Sequence, residues 1–198
     1  VVTAIRNALH PDTDLAIDAH WAYTPVDILK VAKEFEHLDL LWLEDPIPAE
    51  NVEAMLRVKN STRTPICTGE NFYTRHGFRE LIQSQATEIV TPDIAKAGGL
   101  LESKRIAELA DLYYMPLAPH NICSPIGTYA MMHVCAAVPN FLALEFHHLD
   151  NDLWSNLTME GPMIVDGHIT VPDKPGLGIT LNEDVAKTAA REDLGFFE

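Results

Sequence analysis

Basic residues are scarce in this chain: 14 lysines and arginines stand against 29 aspartates and glutamates, a formal net charge of −15 over 198 residues. That balance argues against nucleic acid or an anionic membrane as the main partner and favours solubility. It also leaves several acids available to be neutralised by metal. Cysteine is nearly absent. Cys67, Cys123 and Cys135 are an odd count in apolar surroundings without CxxC spacing. This speaks against a disulfide framework or a zinc site and for core thiols in a reducing compartment. No apolar stretch approaches the roughly 18 residues of a membrane span. The opening VVTAIRNALHPD lacks the charged start and cleavage signal of a secretory peptide. The cytoplasm is the expected location. What the chain does have is apolar content, 47%, enough for a sizeable core in one large domain.

That content comes in short runs, each closed by a polar residue. LAIDAH (15–20), LLWLED (40–45) and TPICTGE (64–70) carry Asp18, Glu44 and Glu70 at their ends, spaced 26 and 26 residues apart. EIVTPD, MPLAPH and FLALEF follow with Asp93, His120 and Glu145, at steps of 23, 27 and 25. Each run is too apolar to face water on either side, as strands of a parallel sheet covered by helices would be. The steps match one strand, one helix and two loops. Six polar groups then converge on the C-terminal rim of the strands, where a (β/α) barrel carries its catalytic residues.

Between the strands lie helices with recognisable starts. Thr24-Pro25 opens one reaching about His37, with Val26, Leu29, Ala32 and Phe35 on one face. Others are predicted over Ala49–Asn60, from a Thr74 cap to Gln83, from Leu100 after the Gly98-Gly99 turn to Tyr113, and from Ser124-Pro125 to before Pro139. Residues 1–146 thus read as six units of an alternating series, and residues 147–198 as a tail. In the tail DGHITVPDKPGLGITL suggests two short strands bracketing a Pro/Gly turn, with a last helix over Glu183–Arg191. Six units cannot close an eight-stranded barrel, and an open parallel sheet would leave edges unpaired. Val1–His10 reads as the end of a helix. The expectation is a C-terminal portion of a longer protein, with an apolar gap beside Leu15–His20.

Asp18, Glu44 and Glu70 offer three hard oxygen ligands on adjacent strands, the set Mg²⁺ prefers, where zinc would want His or Cys. Strand-end acids also cap helices or form ion pairs, and that alternative stands for each one singly. By the family resemblance given below, such a metal would chelate a substrate carboxylate. Removing the proton next to a carboxylate creates an enediolate, which needs a cation and hydrogen-bond donors to hold its charge. His120 is the candidate base, with Asp93 one strand earlier placed to accept its other ring N–H and raise its basicity. The alternative is a core histidine bonded to a carbonyl.

Read in order, DAH (18–20), LEDP (43–46), GEN (69–71), PDIAKAGG (92–99), APHNICSPIG (118–127), LEF (144–146) and PGLGI (175–179) resemble the C-terminal barrel of the enolase superfamily, in its mandelate racemase branch. The resemblance implies a modified (β/α)7β TIM-like barrel, here strands 3 to 8, whose tail returns to an α+β capping domain not contained in these residues. It implies Mg²⁺ on Asp18, Glu44 and Glu70. A Lys base fills the Asp93 position in muconate-lactonising and dipeptide-epimerising relatives, so Asp93 speaks against those chemistries. Glu145 is expected to donate a hydrogen bond to the substrate carboxylate while protonated, and an ion pair with Lys96 or Arg75 is the plainer alternative. Sugar-acid dehydratases of the branch, the galactonate dehydratases in particular, carry the D-x-H of Asp18 and His20, with His20 as the general acid that expels the 3-hydroxyl. A structural histidine at a strand end is the competing reading.

Lys96, Asn71, Arg75 and His147 are expected to contact substrate or support the ligands, with His148 and Trp154 near the mouth. An exposed Arg at a helix start is an equally good account of Arg75. The implied activity is a magnesium-dependent dehydration of an acid sugar to a 2-keto-3-deoxy acid by a homo-oligomer. Racemisation with a second base on strand 2, or a metal-binding barrel without turnover, are the alternatives.

Overall fold

A computed structural model of the chain describes residues 1–147, 152–191 and 193. Helix α1 (Val2–Ala8) precedes an alternation of β1 (Ile17–Asp18), α2 (Pro25–Phe35), β2 (Leu43–Glu44), α3 (Val52–Lys59), β3 (Ile66–Thr68), α4 (Thr74–Gln83) and β4 (Ile89–Val90). A short α5 (Ile94–Ala97), α6 (Leu100–Asp111), α7 (Pro125–Ala136), α8 (Asp152–Asn156) and α9 (Glu183–Thr188) follow. The strands are parallel and lie in chain order. The array continues as single parallel bridges from Val90 to Leu117 and from Leu117 to Phe141, so all six expected segments stand side by side. The last two shrink to bridges because Pro116 and Pro119 remove N–H donors around Leu117, and Pro139 lies just ahead of Phe141. Among the described residues β1 and the Phe141 segment are paired on one side only. The array is part of a barrel, an open arc of it.

Alternation along the strands divides the side chains between two faces. Ile17, Leu43 and Ile66 are register partners and face outward. With Val90 and Leu117 they pack against Ile28, Met55, Phe78, Leu81, Ile82 and Ile106 from the helices. Each such side chain taken out of water stabilises the fold by about 1.5–3 kcal/mol, so this outer layer carries most of the hydrophobic stabilisation. On the inner face Ala16, Trp42, Thr91, Ala118 and Ala143 line a cavity of about 330 Å³, together with Asp18, Glu44 and Glu145. Alanine at three of these positions leaves the space open.

Helix starts follow local chemistry. Thr24 Oγ1 accepts the Asp27 N–H at 3.2 Å with Pro25 beside it, and Asn51 Oδ1 accepts the Ala54 N–H at 2.9 Å. Thr74, expected as a cap, is instead the first residue of α4, and its hydroxyl accepts the His76 N–H at 3.3 Å. In the tail the expected pair of strands around a Pro/Gly turn is not what forms. Val165 bridges His168 across Asp166-Gly167, both at positive φ as a tight hairpin needs, while Leu181 bridges Thr158. The Pro/Gly stretch is a loop pinned by the Leu177 carbonyl to His133 Nε2 at 3.1 Å. The last helix ends at Thr188 rather than Arg191. An apolar opening of about 640 Å³ lies beside Phe141–Leu144, at the end of the arc opposite β1. No helix among the described residues is long and apolar enough to cross a membrane.

Candidate active site

His120 stands two residues beyond the inward-facing Ala118, so alternation turns it into the mouth of the arc. Its side chain is only 7% exposed. Nδ1 lies 2.8 Å from Asp93 Oδ2, Nε2 lies 3.2 Å from Glu70 Oε2, and Glu145 Oε2 is 4.0 Å away. Burial alone would lower the pKa of His120, but the Asp93 hydrogen bond and the charges of Glu70 and Glu145 win and raise it. Burial likewise pushes Asp93 up, and its hydrogen bonds with His120 and with the N–H groups of Lys96 and Ala95 outweigh it, leaving the carboxyl below its ordinary value.

Asp93 has two roles at once. Its Oδ1 caps α5 by accepting from Ala95 and Lys96, at 2.8 and 3.2 Å, which leaves Oδ2 for the imidazole. The short helix α5 escaped the sequence reading, although Asp93 before it and Gly98-Gly99 after it are ordinary start and stop signals. It also places Lys96, whose Nζ is 3.2 Å from Asn71 Oδ1 and 3.7 Å from Glu70 Oε1. Gly69, at φ +144°, turns the chain just ahead of Glu70. A Cβ there would meet Phe78 at 2.7 Å.

Glu145 Oε2 accepts the Asn121 N–H at 2.7 Å, and Asn121 Nδ2 donates to the Glu145 carbonyl at 2.9 Å and to Thr128 Oγ1 at 3.0 Å. Asn121, buried beside His120, thus ties the ends of the last two segments together. The sequence reading did not single it out, though its place in APHN was a signal.

On the β1 side, Asp18 and Glu44 are register partners on neighbouring strands. Asp18 Oδ1 accepts the His20 N–H at 2.7 Å, and His20 Nδ1 lies 3.7 Å from Asp18 Oδ2. Trp42 is a second residue the sequence reading missed, although its place two residues before Glu44 puts it on the same face. Its Nε1–H donates to Glu44 Oε2 at 2.9 Å. Burial pushes the Glu44 carboxyl up to about 7 against that hydrogen bond, and the charges of Asp18, Asp45 and Glu145 add to the rise. Burial pushes Asp45 up to about 6 against side-chain hydrogen bonds with Thr68 and Trp21, and the charges of Glu70 and Asp18 add to the rise.

Crowded carboxylates of this kind are the electrostatic setting that a hard cation relieves, and the all-oxygen donor set of Asp18, Glu44 and Glu70 fits magnesium. The three expected ligands are not drawn into one cage. Asp18 and Glu44 adjoin, whereas Glu70 faces His120 and Lys96. Among the described residues no group of three His, Cys, Asp or Glu is arranged to hold a metal.

Two further expectations meet different outcomes. Arg75 pairs with Glu102, its Nη1 2.8 Å from Glu102 Oε2 and its N–H donating to Glu102 Oε1 at 2.9 Å, so the guanidinium braces the start of α4 against α6. His147 is exposed after the last strand segment. His148 lies outside the described residues.

In comparison with known proteins, residues 1–185 match the enolase C-terminal domain-like family. The chain belongs to that family. It is 43% identical over 198 residues to a D-xylonate dehydratase of Haloferax volcanii, covering 100% of this chain and 48% of the relative. It is 34% identical to an arabinonate dehydratase of Saccharolobus solfataricus, covering 92% of this chain and 48% of that protein. A mandelate racemase/muconate lactonizing enzyme-like protein from Rubrobacter xylanophilus superposes with a TM-score of 0.95 at 48% identity, covering 100% of this chain and 50% of that structure. The chain spans about half the length of the curated relatives it matches.

Proposed function

We propose that the protein carrying this domain is a lyase, a magnesium-dependent dehydratase of a sugar acid. The observation that carries the reading is the buried His120 imidazole, held by Asp93 and facing Glu70 and Glu145, on the same rim as the Asp18-x-His20 element. Asp93 holds Nδ1 and fixes the tautomer, and Nε2, which faces Glu70 at 3.2 Å, takes the proton from C2 of the acid once substrate stands between them. Lys96, with Asn71, steadies Glu70. Asn121 fixes Glu145, which faces the cavity as a partner for the substrate carboxylate. His20, exposed at the end of β1, protonates the departing 3-hydroxyl, and the enol left behind ketonises to a 2-keto-3-deoxy acid. Magnesium, held by Asp18, Glu44 and Glu70 when bound, would neutralise the charge that gathers on the substrate carboxylate.

The dehydratases among the relatives support the choice of an acid sugar over other hydroxy acids. The acidic balance of the chain suits a small-molecule substrate rather than nucleic acid or a membrane. A cytoplasmic homo-oligomer is part of the same proposal. The test is a screen of acid sugars against the full-length protein with magnesium, read as keto-acid formation. Exchange of the C2 proton in D₂O without keto acid from any substrate would replace this reading with racemisation or epimerisation. Neither reaction would leave a metal-binding barrel.

A further inference from the structure

At the end of β1 two consecutive non-glycine residues, His20 at φ 46° and Trp21 at φ 56°, occupy the left-handed region, and Asp45 at the end of β2 does the same at φ 40°. Left-handed backbone at such residues is unfavourable and persists where the surroundings impose it, which is common at functional sites. Here the imposing contacts are visible. The Trp21 N–H donates to the Asp45 carbonyl at 2.8 Å, and the Ala22 N–H closes a turn onto the Ala19 carbonyl at 3.0 Å. Asp45 is buried, and its side chain accepts from Thr68 Oγ1 on β3. A braced path therefore runs from β3 through the end of β2 to Trp21.

The result is a platform. The Trp21 ring lies against the His20 ring with centroids 4.0 Å apart and planes 33° from parallel. The His20 side chain is 66% exposed, and its other close neighbour is the Asp18 carboxylate at 3.7 Å. A group that must meet one leaving oxygen needs a single orientation, and the Trp21 ring and the Asp18 carboxylate are the two contacts that set it here.

We propose that Trp21 is a positioning residue for His20, its indole face together with Asp18 fixing the direction in which the imidazole meets the leaving hydroxyl. The assignment rests on the dehydratase reading, in which His20 is the acid. It goes further by assigning a specific task to a residue that has no part in metal binding or proton abstraction.

The experiment uses the full-length protein with magnesium and an acid-sugar substrate in D₂O, comparing the parent with Trp21→Leu and Trp21→Phe. Trp21→Leu should lose keto-acid formation by about 10-fold to 10²-fold, the scale of a misplaced catalytic group, and keep deuterium incorporation at C2 of recovered substrate. Trp21→Phe retains an aromatic face and should fall between the two. NMR of the ring protons of His20, assigned with His20→Asn, supplies a readout independent of turnover. Their upfield ring-current shift should be present in the parent and absent in Trp21→Leu.

Equal loss of exchange and elimination in folded Trp21→Leu would overturn the proposal, because Trp21 would then support the whole site. So would unchanged keto-acid formation, or a ring-current shift that survives the substitution. A parent that forms no keto acid from any acid sugar overturns the dehydratase reading and with it the task assigned here, while the ring-current shift still reports whether the two rings touch.

Discussion

His120 is 7% exposed and in reach of three carboxylates, whereas His20 is 66% exposed and has one carboxylate and one ring beside it. The first belongs to a connected set running from Lys96 and Asn71 through Glu70 and His120 to Asp93 on one side and Glu145 on the other. The second sits where the arc is open, on a strand paired along one edge only among the described residues. The difference follows the chemistry proposed for each. A base working on a weakly acidic C–H gains from a fixed tautomer and a dry, charged setting. An acid that must meet one leaving oxygen needs a fixed direction, and at His20 the braced backbone at the ends of β1 and β2 bears on it, in a chain that spans about half the length of its relatives.

The comparison breaks most visibly if the two histidines are removed one at a time. His120→Asn should reduce both keto-acid formation and C2 deuterium exchange by about 10² to 10⁴ fold, the usual contribution of a general base. His20→Asn should reduce keto-acid formation on the same scale of about 10² to 10⁴ fold but leave exchange in place, as seen by NMR of recovered substrate. If the His20 variant dehydrates at the parental rate, the two sides of the rim do not divide the work, and epimerisation becomes the better account.

Both sides of the rim were legible in sequence as positions on strand ends. The 26-residue steps placed Asp18, Glu44 and Glu70 on neighbouring strands, and the Asp93–His120 pairing follows from strand ends one unit apart. What sequence could not supply was the use of each group's second oxygen or second nitrogen. Asp93 spends one oxygen on α5, and Glu70 turns to His120 and Lys96, because a one-dimensional period fixes which strand a side chain leaves from and not which neighbour it meets. Arg75 illustrates the same limit, since its position after GENFYT suited the rim equally well until Glu102, 27 residues on, claimed it. The tail was least legible. Its pairing of Thr158 with Leu181 spans residues without alternation, and a Gly at 178 lets the loop close against Pro172 where a Cβ would not fit.

A smaller effect sharpens the contrast on the β1 side. Trp42 donates to Glu44, so Trp42→Phe keeps most of the ring volume and removes the N–H that orients this carboxylate. Magnesium affinity, measured by calorimetric titration with the metal alone, should fall by about 10 to 100 fold, the usual cost of removing a partner that orients a ligand. An unchanged affinity would mean that Glu44 does not serve the cation, and the ligand set would have to be redrawn around Glu70.

The smallest effect is expected away from the rim, and it checks that the contrast concerns the site and not the stability of the barrel wall. The Arg75 backbone N–H and guanidinium both bond to Glu102 and hold its carboxyl below the ordinary value, with Arg105 adding at 3.4 Å. A carboxyl whose pKa is lowered by folding contributes stability that is present above its unfolded pKa of about 4.3 and is lost as pH falls through the folded value. Glu102→Gln should therefore have a lower urea midpoint than the parent at pH 7, by a small margin because the partners are partly exposed and screened. The two midpoints should converge as pH falls through the lowered folded value, where the parent's own carboxyl becomes neutral. A gap that persists into acid would show that Glu102 acts through packing between α4 and α6 and not through its charge.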